Sequence, residues 1–235
     1  MQLHRLSALV LFLVAATANA VAQNDLAIDN FTTGLYQSPP YSSGTYSSTQ
    51  KGGMLGGSRL TTIALCDFLV HCGSSNAYDH TSSYGIFAKN ASHPASLEEN
   101  AGYGTQSELN VEYGIGGELD ANFSAYDRIR VNFNGLSGRI DLLALLETNG
   151  GIDSYAEDSC DLGYSDHPFS VEFPFDGFNA STGFDTAHVE ALAFTFNGIS
   201  KVGGVGYAVA SIELSNSKAP GAIVCKVPEQ SVQAR

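Results

Sequence analysis

Residues 153–167, DSYAEDSCDLGYSDH, crowd Asp153, Glu157, Asp158, Asp161 and Asp166 against His167. Paired carboxyls of separated proton affinity are the machinery of glycoside hydrolysis, one protonating the leaving oxygen and the other attacking or activating water across a gap of about 5–9 Å. A chain with a formal charge of −13 also carries carboxylates wherever a loop meets solvent, and here we expect a solvated acidic loop beside a disulfide. Other hydrolytic signatures are missing. There is no G-x-S-x-G elbow, GLSG at 135–138 reading as a turn between strands, and no H-E-x-x-H. His71, His80, His93, His167 and His188 are scattered along the chain. No catalytic residue is assigned, and an enzymatic role has no motif behind it.

Sugar recognition suits the residue types better. An aromatic ring offers an apolar face to sugar C–H groups, while Arg, Asn and Asp satisfy hydroxyls. In RIRVNFN, Ile129, Val131 and Phe133 alternate with Arg128, Arg130 and Asn132, so one set faces a core and the other is offered to a ligand or to water. The candidate ligand-binding set is Arg128, Arg130 and Asn132 with Tyr103, Tyr113, Tyr155 and Tyr164. Tyr36, Tyr41 and Tyr46 recur every five residues in a Ser/Thr/Gly/Pro-rich stretch, residues 32–51, which we read as a long surface loop packed by its own rings.

Four cysteines, Cys66, Cys72, Cys160 and Cys225, follow an N-terminal segment with the pattern of an export leader. Export makes disulfides the default, and four cysteines allow three pairings. We expect Cys66–Cys72, a local ring, and Cys160–Cys225. A zinc site with His71 is the rival, weakened by the absence of C-x-x-C spacing.

The elements that must position these groups are strands. RLTTIAL, YGIFAK, SELNVEYG, RIRVNFNG, RIDLLALLE, FSVEFPF, EALAFTFNG and YAVASIEL follow a shorter LAIDNF, separated by Gly/Asn/Asp/Ser turn signals such as NGLSG and TNGG. No stretch keeps a 3.6-residue period; FDTAHVEAL offers a turn or two of helix at most. The expected fold class is all-β, a two-sheet antiparallel β-sandwich. KGGMLGGSRL, with glycine pairs at 52–53 and 56–57 around Met54 and Leu55, reads as a corner where a strand crosses between sheets.

MQLHRLSALVLFLVAATANA has basic residues ahead of an apolar run and small residues at its end, the pattern of a secretory signal peptide cleaved after Ala20 or Ala22. The expected organisation is a signal peptide at 1–20, one sandwich domain at 21–226 and a polar tail at 227–235. The location is then secreted or periplasmic. The acidic surface repels phosphate backbones, so we expect no nucleic-acid partner and no membrane insertion.

In order, IDNF, MLGGSR, FSAYDRIRVNFNG, FSVEFPFDGF, VEALAFTFNG and YAVASIEL resemble the galactose-binding-like jelly rolls. The series is similar to the complex I intermediate-associated protein family and to family 11 carbohydrate-binding modules, and more closely to a set of bacterial secreted proteins. It covers residues 27–214. The resemblance implies a glycan-binding module, and a structural calcium ion joining the first and last strands through Asp29 and Glu213. Two departures stand out: the chain has no tryptophan, so any stacking platform is expected to come from tyrosine, and CDFLVHCGSSNAYDHTSS inserts a cysteine-bounded loop.

The leading expectation is a secreted non-catalytic module binding a polysaccharide or cell-surface glycan. The alternatives are a structural or adhesive surface protein and, third, a glycan hydrolase or lyase.

Overall fold

In the computed structural model, which describes residues 25–40, 44–65, 82–90, 94–102, 105–114, 119–148, 154–198 and 203–225, the alternation of RIRVNFN takes the form expected. Ile129, Val131 and Phe133 are buried between two sheets. The leader, Cys66, Cys72, Tyr41, Tyr103, Asp153, His71, His80, His93 and the tail at 227–235 lie outside the described residues.

Among the described residues fifteen strands follow one another: β1 (Leu26–Asp29), β2 (Tyr36–Gln37), β3 (Gly44–Lys51), β4 (Ser58–Leu65), β5 (Ser82–Phe87), β6 (Ser96–Ala101), β7 (Ser107–Tyr113), β8 (Arg128–Ser137), β9 (Ile140–Thr148), β10 (Tyr155–Leu162), β11 (Phe169–Pro174), β12 (Asn179–Ala180), β13 (Val189–Phe196), β14 (Gly206–Ser215) and β15 (Ile223–Val224). Sheet A runs β15-β11-β8-β14-β6-β5-β2, with β1 also pairing β14; sheet B runs β12-β10-β9-β13-β7-β4-β3. Pairings are antiparallel except β11 with the two-residue β15. The chain passes repeatedly between the sheets, giving a jelly-roll sandwich.

The core follows from period-two patterning. Sheet A contributes Ile129, Val131, Phe133, Val171, Phe173, Val209, Ile212 and Leu214; sheet B contributes Leu109, Val111, Leu142, Ala144, Leu146, Phe194 and Phe196. Rings bind the layers together: Phe133 meets Phe196 edge-on at 6.3 Å and stacks on Phe169 at 4.8 Å, and Phe196 stacks on Tyr207 at 5.1 Å. Such pairs add about 0.5–1.5 kcal/mol each beyond their burial.

Besides the two-residue strands β2, β12 and β15, three strands depart from the expectation. The stretch read as a loop at 32–51 contains β3, an edge strand that buries only Gln50. β6 buries Glu99 where an apolar residue would mark a strand, and β10, within the acidic stretch, turns Asp158 inward. The glycine corner also differs. It turns β3 into β4 within sheet B, Lys51 pairing Ser58, rather than carrying the chain across the sandwich. Gly56 and Gly57 take φ of +73° and +72°, which L side chains rarely adopt. Buried Met54 plugs the core above them.

The residue after that corner explains the motif's ending. Arg59 is fully buried and ion-paired with buried Asp29 of β1. Its other donors reach Gln50 Oε1 at 3.2 Å, the Thr33 carbonyl at 3.0 Å and the Gly34 carbonyl at 2.8 Å, and its guanidinium lies 5.3 Å from the centre of the Phe31 ring. Asp29 also accepts from the Tyr113 hydroxyl at 3.1 Å and the Phe31 amide at 2.8 Å. MLGGSR and IDNF are therefore two halves of one buried lock between the sheets.

The Cys160–Cys225 bond forms, with Cα atoms 5.2 Å apart and a sequence separation of 65. It ties β10 of sheet B to the residue following β15 of sheet A.

Candidate functional site

Outward residues of sheet A form a groove of about 650 Å³. Its floor is built from small residues on the central strands, Gly85 on β5, Gly135 on β8, and Gly206 and Ala208 on β14. Two features shape it. A Cβ on Gly85 would come 2.4 Å from Phe87 Cζ, so the Phe87 ring lies across the glycine and lines the groove. The segment joining β10 to β11 rises as a wall, pinned to β8 by reciprocal backbone bonds between Leu136 and Ser165 at 2.8 and 2.9 Å. Tyr164, beside that bridge, is 68% exposed and stands at the mouth.

Polar lining comes from Gln37, Ser83, Glu98, Asn100, Asn134 and Asp166, among others, and includes no Lys, Arg or His among the described residues. Glu98 and Asp166 bring carboxylates, the amides and hydroxyls beside them both donate and accept, and no cation is present among the described lining residues. Under the floor, on the inward side of β6, lies Glu99. Tyr207 donates its hydroxyl to Glu99 Oε2 at 2.5 Å and Ser82 donates to Oε1 at 3.1 Å. Burial raises the Glu99 carboxyl above its ordinary range, against the hydrogen bonds that work to lower it.

The other end of the same outward face is closed. Arg128 contacts Glu172 at 2.8 Å and Asp127 at 2.7 Å; Arg130 contacts Glu172 at 3.1 Å, Glu213 at 2.9 Å and Asp25 at 3.2 Å, and also the Ser217 carbonyl. The Ala219 amide caps Glu172 at 2.7 Å, so the chain leaving β14 lies over these charges as a strap. Burial works against the Arg130 charge, but its carboxylate partners outweigh it and hold its pKa up. Burial likewise opposes ionisation of Glu172, yet the Ala219 amide and both arginines keep its pKa below the usual range. Asn132 bonds Ser211 at 2.8 Å, Glu213 at 3.2 Å and Ser170 at 2.7 Å.

The expected ligand-binding set is therefore divided. Arg128, Arg130 and Asn132 sit on the outward face but are spent on neighbours outside the groove. Tyr113 is a correction: it is fully buried, because the inward position of β7 puts its hydroxyl on Asp29. Tyr155 lies on β10 in the opposite sheet. Among the described residues, Tyr164 alone of the expected set lines the groove. Phe87, Glu98, Asn100 and Asn134 were missed; the one local signal was YGIF at 84–87, where a glycine two residues before an aromatic leaves room for the ring to lie flat.

The calcium pair does not converge. Asp29 points between the sheets at Arg59, whereas Glu213 points out of sheet A at Arg130. The acidic stretch also disperses. Asp161 pairs with Arg139 at 2.8 Å on the surface, Asp166 lies in the groove wall, and Asp158 is 2% exposed. The Asp158 Oδ1 accepts from the Ser159 amide at 2.7 Å, Oδ2 has no partner among the described residues, and burial raises its pKa to about 6.

The sequence matches no protein-family model and no curated protein. Among solved structures, the chain is similar to the family 11 carbohydrate-binding module of cellulosomal cellulase Lic26A-Cel5E of Clostridium thermocellum, at 12% identity and a TM-score of 0.41, covering 85% of this chain and 99% of that one. A Clostridium thermocellum family 11 module in complex with a β-1,3-1,4-mixed-linked tetrasaccharide aligns at 13% identity and a TM-score of 0.38, over 85% and 97%. A mannan-recognising family 27 module, TmCBM27, aligns at 11% identity and a TM-score of 0.31, over 84% and 98%.

Proposed function

We propose that this sandwich is a non-catalytic carbohydrate-binding domain and that the groove over sheet A holds a segment of a polysaccharide. The observation that carries the reading is the Tyr164 ring, 68% exposed at the mouth of a groove whose floor is glycine, alanine and the flat Phe87 ring. Stranding an aromatic side chain in water costs apolar burial unless a ligand covers it. Carboxylate and amide oxygens around it accept from sugar hydroxyls, and a lining without cations among the described residues, in a chain of charge −13, disfavours uronates and sulfated glycans.

The test is affinity electrophoresis against a panel of neutral and anionic plant, algal and bacterial polysaccharides, with insoluble glycans assayed by pull-down. At least one neutral polymer is expected to retard the protein. Tyr164→Ala is expected to weaken retention about three- to tenfold, the worth of one stacked ring, while Tyr155→Ala on the opposite sheet leaves it unchanged. A blank panel, or equal effects of the two substitutions, sinks the reading.

A further inference from the structure

The outward positions of β8 change character along the strand. Arg128 and Arg130 stand at one end, Asn132 follows, and Asn134 and Gly135 enter the groove. The charges on this face of sheet A divide along the same line. At the closed end Glu172, Glu213, Asp25 and Asp127 each meet Arg128 or Arg130. In the groove, Glu98 and Asp166 meet no lysine or arginine among the described residues, and Asp166 has only the exposed ring of its neighbour His167, 3.7 Å away.

Strand register explains why Glu98 stands by itself. It pairs with Gly85 of β5 on one side and Ala208 of β14 on the other, and Ala208 pairs in turn with Gly135 of β8. Gly85, Glu98, Ala208 and Gly135 therefore form one cross-strand row of the floor, and that row carries a single long side chain. An opposite charge directly across the ladder is the ordinary way to hold a carboxylate on a sheet; here a hydrogen and a methyl group stand in those places. Ser96, on the same strand, donates to Glu98 Oε1 at 2.5 Å. That bond fixes the carboxylate and leaves Oε2 for a ligand.

We propose that the ligand brings the missing counter-charge: the groove takes a polysaccharide with free amino groups, an amino-sugar polymer, and Glu98 selects it by receiving the ammonium group on its carboxylate. The inference rests on the groove being the sugar site and gives that site a chemical class. Asp166, two residues from Tyr164 on the wall, supplies a second carboxylate at the mouth.

A sugar hydroxyl and a sugar ammonium both donate to a carboxylate, but with both partners charged the bond is shorter and about twice as strong. The attraction grows as the ligand displaces water from the groove. N-acetylation of the same polymer keeps an N–H donor and removes the charge. A chain of charge −13 also draws any polycation from a distance, and that pull is shared by every surface carboxylate, whereas a seat at Glu98 is not.

The test compares glucosamine oligosaccharides of one linkage and length with the same oligosaccharides after N-acetylation, by titration calorimetry in mildly acidic buffer. Wild type is expected to bind the amino form about tenfold more tightly or better, the worth of one charged hydrogen bond. Glu98→Gln is expected to lose most of that preference and to bind the N-acetylated form nearly as wild type does, which also reports an intact groove. Tyr164→Ala should weaken both forms alike. Glu157→Gln, the same change of charge on β10 of the other sheet, should leave the preference in place. Equal affinity of the two forms for wild type overturns the proposal and leaves the sugar reading standing. A preference that survives Glu98→Gln, or that falls equally in Glu157→Gln, belongs to the net charge of the chain and overturns it as well. Wild type that binds neither form, and no polymer of the wider panel, loses both readings.

Discussion

The guanidinium of Arg59 and the carboxylate of Asp29, 30 residues apart in the chain, form an ion pair with both side chains buried between the two sheets. The pair stands because it is not alone. Five further hydrogen bonds, from Tyr113 and the Phe31 amide to Asp29 and from Arg59 to Gln50, Thr33 and Gly34, satisfy the remaining lone pairs and donors. A buried pair without such neighbours gains too little from its own attraction to offset desolvation.

Removing one partner strands the other. Asp29→Asn is expected to destabilise the fold by about 3–5 kcal/mol, the usual cost of an unpaired buried charge, read as a lower urea midpoint. The Asp29→Asn, Arg59→Met double variant should cost less than the two single changes added together. Additive losses would show that the two side chains act independently.

Asp158 gives the opposite case, a buried carboxylate oxygen with no partner among the described residues. Its pKa is raised from 3.8 to about 6, so the folded chain binds this proton more tightly than the unfolded chain. Its contribution to stability is full below about pH 4, declines as pH climbs to about 6 and stays low above that. Asp158→Asn should therefore raise the melting temperature at pH 8 and leave it nearly unchanged at pH 4. An equal effect at both values would remove the account.

How much of this was legible follows from what each strand buries. β8 and β11 alternate apolar and polar residues because one face of each meets the core, and period-two reading finds them. β3 meets water on most of its length as an edge, and β6 and β10 spend inward positions on Glu99 and Asp158, so the pattern that marks a strand is erased where polar groups are buried. The groove was less legible than the fold. It draws Gly85, Glu98, Asn134, Tyr164 and Ala208 to one surface, and only strand order brings residues that distant together. Arg128 and Arg130 were correctly placed on the outward face, but nothing local announces that Glu172, Glu213 and Asp25 already occupy them.

The disulfide closes a loop of 65 residues, for which chain entropy gives about 4 kcal/mol. Replacing both Cys160 and Cys225 with serine should lower stability by up to that amount. It should also speed hydrogen exchange at the Ala219 amide, which caps Glu172 under the strap. Lost stability with unchanged exchange at Ala219 would mean that the strap is held by its Arg130 and Glu172 contacts alone.

The floor of the groove offers a way to separate binding from folding. Gly85 has ordinary strand geometry and lies on β5, so alanine is tolerated by the backbone there. The added methyl would stand 2.4 Å from Phe87 Cζ, the far end of a side chain that can swing away. Gly85→Ala should therefore change stability by less than about 1 kcal/mol while lifting the Phe87 ring into the space a sugar would occupy, and affinity for any polysaccharide retained by wild type should fall. Phe87→Ala in the same background removes the ring that blocks the floor and should recover part of that loss. If Gly85→Ala binds as wild type does, the ligand does not lie over β5, and the site must be sought nearer Tyr164 and the β10–β11 wall.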